Sequence, residues 1–305
     1  MPRIDDVFTE VAVYLYQSIE DAEEGASFGG SGFIASVPFD VNAEYRSLYA
    51  VTNRHVVTRA IEPVIRLNRK DGSIECVPTK RQQWLFHPDG DDIAVIAIQR
   101  EWRNLKFSSV PLDNFITPQL ITHEDIGIGD DAVMVGRFIN HEGKQKNSPA
   151  ARFGSIAMMD DEQIVSQESG IAQQSFLVET RSLPGYSGSP VFLYSQSAMM
   201  DGSRQRGGEP KAVTNLAKWL LPKGPYLLGI DWCHIQRKAW ILSREGRRID
   251  DGWYVEENTG MAGVIPAWKI AEVLKSEELV MQRKADDEEI TRLKRNSPGG
   301  WPSQE

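Results

Sequence analysis

From Val7 onward the chain is cut into short apolar runs separated by turn-forming residues, and helical spacing appears only near its end. Val11, Val13 and Leu15 alternate with Ala12, Tyr14 and Tyr16, which predicts a strand over residues 7–19. Further strands are predicted at Gly29–Ala35 and Ser47–Thr52. Val64–Leu67 and Ile74–Val77 flank Asp71-Gly72, a hairpin signal, and Ile93–Ile98 follows three closely spaced acids. Pro111 and Pro118 mark a crossover segment. A second strand-rich half covers Asp131–Arg137, Ala150–Met159, Ile164–Val165, Ser175–Glu179, Val191–Tyr194 and Tyr226–Trp232. Short strands at this spacing point to an all-β barrel or sandwich architecture. Residues 196–225 and 237–258 read as irregular, the first as a long insertion. Ile270, Val273 and Leu274 share one face of a predicted helix entered through Pro266. The charged stretch 282–295 reads as a solvated continuation of it, and residues 296–305 as a loose tail.

Charge and cysteine usage narrow the function classes. A net charge of −9 argues against general nucleic-acid binding. No apolar run approaches the roughly 18 residues that a membrane span needs. The acidic start Met1-Pro2-Arg3-Ile4-Asp5-Asp6 lacks a basic-then-apolar leader pattern, and Cys76 and Cys233 lie far apart. These features lead us to expect a cytoplasmic protein with two free thiols. The glycine cluster Gly29-Gly30-Ser31-Gly32 has no Lys-Ser/Thr pair after it and runs into a strand, so it is no phosphate loop. His87, His123, His141 and His234 lack metal-ligand spacing, and neither a metal nor another cofactor is expected.

Leu183–Phe192 carries the chemistry. Ser187 sits in a tight turn between Gly185 and Gly188, and an apolar run leads away from it. Glycines allow backbone angles that aim amide N–H groups at one point, as a carbonyl oxygen gaining negative charge requires. A serine hydroxyl needs a base to take its proton, and that base needs a carboxylate to orient it. His55 and Asp92, both predicted at strand ends, are the candidates, with Asp91 as rival to Asp92.

Tyr49–Val57 resembles the histidine block of trypsin-like, chymotrypsin-fold serine proteases. Asp92-Ile93-Ala94-Val95 resembles the family's aspartate block, and Gly185–Pro190 its serine block. Gly260–Pro266 is similar to the last barrel strand of bacterial members. The resemblance spans about residues 10–275 and implies two six-stranded antiparallel β-barrels with a C-terminal helix. We accordingly expect an N-terminal barrel with His55 and Asp92 in residues 1–110 and a C-terminal barrel with Ser187 in 111–265 carrying the insertion 196–225, and, from the residue pattern, a C-terminal helix over 266–295 and a disordered tail over 296–305. It implies a serine endopeptidase: Ser187 as nucleophile, His55 as base and then acid, Asp92 as orienting carboxylate, and the N–H groups of Gly185 and Ser187 as oxyanion hole.

Two departures matter. Tyr186 stands where many members carry an aspartate that pairs with a freshly cleaved N-terminus, and no Ile-Val-Gly-Gly start is present, so activation by that cleavage is not expected. Ser189 replaces a glycine. By position relative to Ser187, Arg181 falls at the floor of the substrate pocket, and Asp231, Trp232 and Cys233 fall on the strand that pairs with substrate. Arg181 has two readings, selection of an acidic side chain or a pairing with Glu179 away from the pocket. An activating partner acting through residues 196–225 or the C-terminal helix is a further expectation. The rival class is a catalytically silent peptide-binding module of the same fold.

Overall fold

The computed structural model describes residues 4–26, 28–98, 104–137, 143–159, 163–165, 170, 172–180, 185–194, 226–249 and 252–296. The insertion at 196–225, Arg181 and the segment beyond Asn296 lie outside the described residues.

The N-terminal strand predicted from 7 to 19 is shorter than expected. Asp5 accepts a hydrogen bond from the Val7 N–H and caps a short helix, α1 (Asp6–Glu10), before strand β1 (Ala12–Tyr16) begins. Ser18 caps α2 (Ile19–Glu24), which stops at Gly25 in the left-handed region, φ +68°. Capping thus overrides an apolar alternation that continues on both sides of it.

Next come β2 (Phe28–Pro38), β3 (Arg46–Thr52), α3 (Arg54–Arg59), β4 (Val64–Arg69), β5 (Ile74–Pro78), β6 (Leu85–Phe86), β7 (Ala94–Ala97), β8 (Leu105–Lys106) and β9 (Val110–Pro111). They form a nine-stranded sheet in the order β5-β4-β1-β2-β3-β7-β6, with β8 on β4 and β9 on β2. Among the described residues the ladder stays open between β5 and β6. Pro78 ends β5 without a donor, and β6 is only two residues long.

The second half contains α4 (Pro118–Glu124), β10 (Asp131–Gly136), β11 (Ala150–Met158), β12 (Gln163–Val165), β13 (Ala172–Gln174), β14 (Phe176–Glu179), β15 (Pro190–Leu193), β16 (Leu227–Trp240) and β17 (Tyr254–Pro266). Strands β10-β11-β14-β17-β16-β15 form a closed barrel, and β12 with β13 forms a separate two-stranded hairpin. The stretch 237–258, read from sequence as irregular, is instead largely a ribbon, with Arg237 opposite Glu257 and Trp240 opposite Tyr254. Its polar composition carries no alternation because both faces meet solvent, with Trp253 60% exposed.

The N-terminal sheet is apolar on both faces for a reason visible in the core. Val13, Leu15, Ile34, Ala50 and Ile96 pack with Trp84 on one side. Phe33, Ala35, Val51 and Val95 face the other way, into a core continuous with Val133, Val135, Val191 and Ile230 of the barrel. Phe8 of α1 joins that core edge-on to Phe192, with ring centroids 5.1 Å apart.

Helix α5 (Ala267–Leu274) buries Ile270, Val273 and Leu274. Helix α6 (Glu277–Asn296) is not merely solvated. Arg283 donates to the Tyr49 hydroxyl at 2.9 Å, and Asp287 accepts from the Val41 N–H at 2.8 Å and the Asn42 amide at 2.6 Å. The helix therefore straps back onto the N-terminal sheet.

Candidate active site

The pairing of β3 with β7 sets Thr52 opposite Ala94, so the residues after one strand and before the other emerge at the same end of the sheet. His55 lies in the first turn of α3, and Asp92 lies two residues ahead of β7. Asp92 Oδ1 accepts from the His55 backbone N–H at 2.8 Å, and Asp92 Oδ2 lies 2.5 Å from His55 Nδ1. A carboxylate only accepts, so the proton of the neutral ring sits on Nδ1 and Nε2 keeps its lone pair. The Asp92 side chain is 4% exposed and the His55 side chain 22%, so the acid is sheltered while the ring is partly open to solvent. The Asn53 amide donates to the Asp92 carbonyl at 2.9 Å and fixes the approach of the two segments.

Asp91 is drawn elsewhere. Its Oδ1 accepts from Gln173 Nε2 at 2.8 Å, and its Oδ2 lies 3.3 Å from Lys269 Nζ and 3.2 Å from His87 Nδ1. Of the two adjacent acids, only Asp92 contacts the His55 ring among the described residues.

The serine turn comes from the other half of the molecule and is pinned to β2. The Ser31 N–H donates to the Ser187 carbonyl at 2.8 Å, and the Ser31 hydroxyl donates to the Gly185 carbonyl at 3.2 Å. The Ser31 carbonyl in turn accepts from Thr52 Oγ1 at 2.7 Å, three residues before His55. A Cβ at Gly30 would lie 2.9 Å from the Ser187 carbonyl oxygen and 2.7 Å from Val56, so the turn and the residue after His55 close on the same glycine. Gly185 and Gly188 hold φ values of +100° and +91°. The Gly188 N–H donates to the Asp231 carbonyl. Among the described residues the N–H groups of Gly185 and Ser187 have no hydrogen-bond acceptor, and no hydrogen bond joins the Ser187 hydroxyl to His55. Nucleophile–base hydrogen bonds are often long without substrate and tighten when it binds.

Tyr186 is fully buried. Its hydroxyl accepts from Arg152 Nε at 2.7 Å, and the Arg152 guanidinium lies over its ring, 4.8 Å from the centroid. Burial raises the phenol's pKa above its ordinary value, partly opposed by that hydrogen bond and charge. Asp231 and Trp232 lie on β16 beside the serine turn, Asp231 exchanging backbone bonds with Gly188 and Ser189 and the Trp232 indole donating to Ser175 Oγ at 2.8 Å. Cys233 is buried on the same strand, and neither it nor Cys76 is in a disulfide. The backbone of Asp231 thus braces the serine turn, while the Trp232 side chain is tied to Ser175.

Ligand atoms of His87, Asp89 and Glu272 lie within 4.8 Å of one another, a grouping that spacing along the chain does not reveal. Lys269 Nζ, 3.7 Å from Glu272, already places a cation there, and the group reads as an ion-pair cluster. Sequence reasoning also missed Gln173, whose Oε1 accepts from the Asp92 N–H at 2.8 Å. A polar residue in a short, weakly patterned segment gave no signal.

Residues 30–199, just over half of the chain, match the family model of the trypsin-like peptidase domain. The chain belongs to that family of chymotrypsin-fold serine proteases. No curated protein matches it in sequence. Among solved structures, the MamO protease domain from Magnetospirillum magneticum in its apo form is 14% identical over 88% of this chain and 98% of its own, with a TM-score of 0.50. The HtrA-type protease AlgW with a decapeptide is 16% identical over 84% of this chain and 52% of its own, TM-score 0.43. An inactive serine-to-alanine mutant of Rv3671c from M. tuberculosis H37Rv is 12% identical over 88% of each chain, TM-score 0.43. No helix among the described residues is long and apolar enough to cross a membrane.

Proposed function

We propose that the chain is a serine endopeptidase working through His55, Asp92 and Ser187. The observation that carries this reading is the sheltered His55–Asp92 pair, with His55 Nδ1 2.5 Å from Asp92 Oδ2, together with a serine turn tied to the strand β2. Ser187 Oγ attacks the scissile carbonyl carbon while His55 Nε2 takes the hydroxyl proton, and Asp92 stabilises the resulting imidazolium. The N–H groups of Gly185 and Ser187 receive the developing oxyanion. Collapse expels the amine, which leaves with the proton from His55. Water then attacks the acyl-enzyme by the same route, releasing the acid and restoring Ser187.

The substrate is an extended protein or peptide segment running along the Asp231–Cys233 part of β16, with Arg181 at the pocket floor as the candidate selector. Two cysteines that form no disulfide favour a reducing, cytoplasmic setting. An activating partner engaging residues 196–225 or α6 would account for restraint of the activity there.

Incubation of the wild type and of Ser187→Ala and His55→Ala with a peptide library tests the reading. Cleavage by the wild type and a fall of about 10^4–10^6 in kcat for either variant is the expected outcome. The absence of a Ser187–His55 hydrogen bond among the described residues favours one second reading, a silent peptide-binding module. Fluorophosphonate labelling of Ser187 that depends on His55 rejects the module, and peptide binding without labelling rejects the enzyme.

A further inference from the structure

Asp91 and Asp92 are neighbours in sequence, yet only Asp92 touches His55. Besides Lys269 and His87 on Asp91, one uncharged side chain from the other half of the molecule touches both acids. Gln173 lies on β13, in the small hairpin outside the barrel, 81 residues from Asp92, and is fully buried. Its two amide ends are used differently. Oε1 accepts from the Asp92 N–H at 2.8 Å, and Nε2 donates to Asp91 Oδ1 at 2.8 Å. The polarity of the bridge is fixed, because a backbone N–H only donates and a carboxylate only accepts.

The bridge continues on both sides. Lys269 of α5 lies 3.3 Å from the other oxygen of Asp91. On the hairpin, the Ser175 hydroxyl donates to the Gln173 carbonyl at 3.2 Å, and that hydroxyl oxygen accepts from the Trp232 indole of β16 at 2.8 Å. One line of hydrogen bonds therefore runs from the His55–Asp92 pair, through Gln173, to the strand beside the serine turn.

We infer that Gln173 is a positioning residue for the proposed reaction: by bridging Asp91 and the Asp92 backbone, it sets the Asp92 carboxylate against His55 and ties that alignment to the C-terminal barrel. The inference rests on the peptidase reading of the site. Asp92 already satisfies His55 through both carboxylate oxygens, so its aim depends on where its backbone is held, and Gln173 supplies the side-chain hydrogen bond to its N–H. Catalysis is sensitive to such aim, with a misplacement of about 1 Å costing about 100-fold.

The test inverts the bridge. Gln173→Glu keeps an acceptor for the Asp92 N–H but sets a carboxylate against Asp91. Gln173→Met removes both bonds at similar volume. The double variant Gln173→Glu/Asp91→Asn restores a complete bridge with reversed polarity, the amide introduced at position 91 now donating to the carboxylate introduced at position 173. Three quantities are read: kcat and KM on a cleaved peptide, the far-downfield proton NMR signal of the His55–Asp92 hydrogen bond, and Tm. We expect both single Gln173 variants to lose about 10–100-fold in kcat with KM within about twofold, and to broaden or lose the downfield signal. The double variant should recover most of kcat and the signal. The inference is overturned if Gln173→Met keeps kcat and the signal, or if the double variant is no better than Gln173→Glu. It is equally overturned if every loss follows Tm with kcat and KM moving together. If the wild type neither cleaves nor labels, the peptidase reading fails, while the downfield signal across the same variants still decides whether Gln173 aligns the pair.

Discussion

Gly188→Ala separates two contributions that the serine turn combines. The residue holds φ +91°, and a Cβ there would lie 1.9 Å from the Ser31 carbonyl oxygen and 2.6 Å from Thr52 Oγ1. Reaching an ordinary contact of about 3.4 Å moves the turn off β2 by about 1.5 Å. That movement breaks the Ser31 N–H to Ser187 carbonyl bond and strains the Gly188 N–H to Asp231 carbonyl bond. A left-handed alanine costs about 1–2 kcal/mol and each lost hydrogen bond about 0.5–1.5 kcal/mol, so the variant should lose about 2–5 kcal/mol. Gly72 is the control: it holds φ +88°, and a Cβ there would meet nothing within 4 Å, so Gly72→Ala should show the backbone cost alone. Calorimetry should find Tm lowered on the order of 10 °C by Gly188→Ala and by much less for Gly72→Ala. In the folded fraction, fluorophosphonate labelling of Ser187 should slow by about 100-fold or more, because the proposed nucleophile has moved relative to His55. If the two variants lose the same stability and Gly188→Ala labels at the wild-type rate, the turn is not held by its fit against β2.

Two pH dependences follow from buried groups. Burial raises the phenols of Tyr14 and Tyr186 above the ordinary tyrosine value, with Arg137 and Arg152 respectively opposing it. Their contribution is complete below about pH 10 and is lost as pH rises through the raised folded values, so urea midpoints should fall in alkali and fall less in Tyr14→Phe. At the other end of the scale, burial pushes the Asp287 carboxyl up, but the Asn42 amide and the backbone N–H groups of Val41 and Asn42 outweigh it and hold it below the ordinary range. Its contribution is present above the ordinary aspartate value and lost as pH falls through the folded one. Protection factors of the α6 amides, referred to intrinsic exchange at each pH, should therefore fall on acidification, and Asp287→Asn should abolish that dependence.

The parts of the candidate site that were legible in sequence are those whose proposed chemistry demands a residue type in a local setting. Ser187 between glycines, Asp92 before an apolar strand and His55 after one each announce themselves within a few residues. What was hidden is contact between distant segments. Gln173 has no local signature, and Arg152 reveals its role only once β11 brings it over Tyr186. The fold shows the same division. The Asp71-Gly72 hairpin and the barrel strands were readable, whereas α1 was masked because Asp5 caps a single turn inside an alternating apolar stretch. The ribbon over 237–258 was missed because a two-stranded arm buries neither face and so leaves no period-two pattern.

Tyr186 explains how the turn keeps its shape without the acid found in many family members. An aspartate there needs a cation, and where the cation is a new N-terminus, order must wait for cleavage. Here the cation is Arg152, already in place on barrel strand β11, and it meets a neutral phenol whose ring is fully buried. A neutral partner removes the cost of burying an unpaired carboxylate before any partner arrives. The ring also fills space beside Gly136, where a Cβ would come within 3.1 Å of it. Packing from the barrel side and the Ser31 bonds from the sheet side then hold Gly185–Ser189 between them. Conformational control of such a turn acts through the fit of the two halves, and Arg152→Met, which removes the cation but keeps the bulk, should lower the labelling rate of Ser187 while leaving the β2 contacts in place.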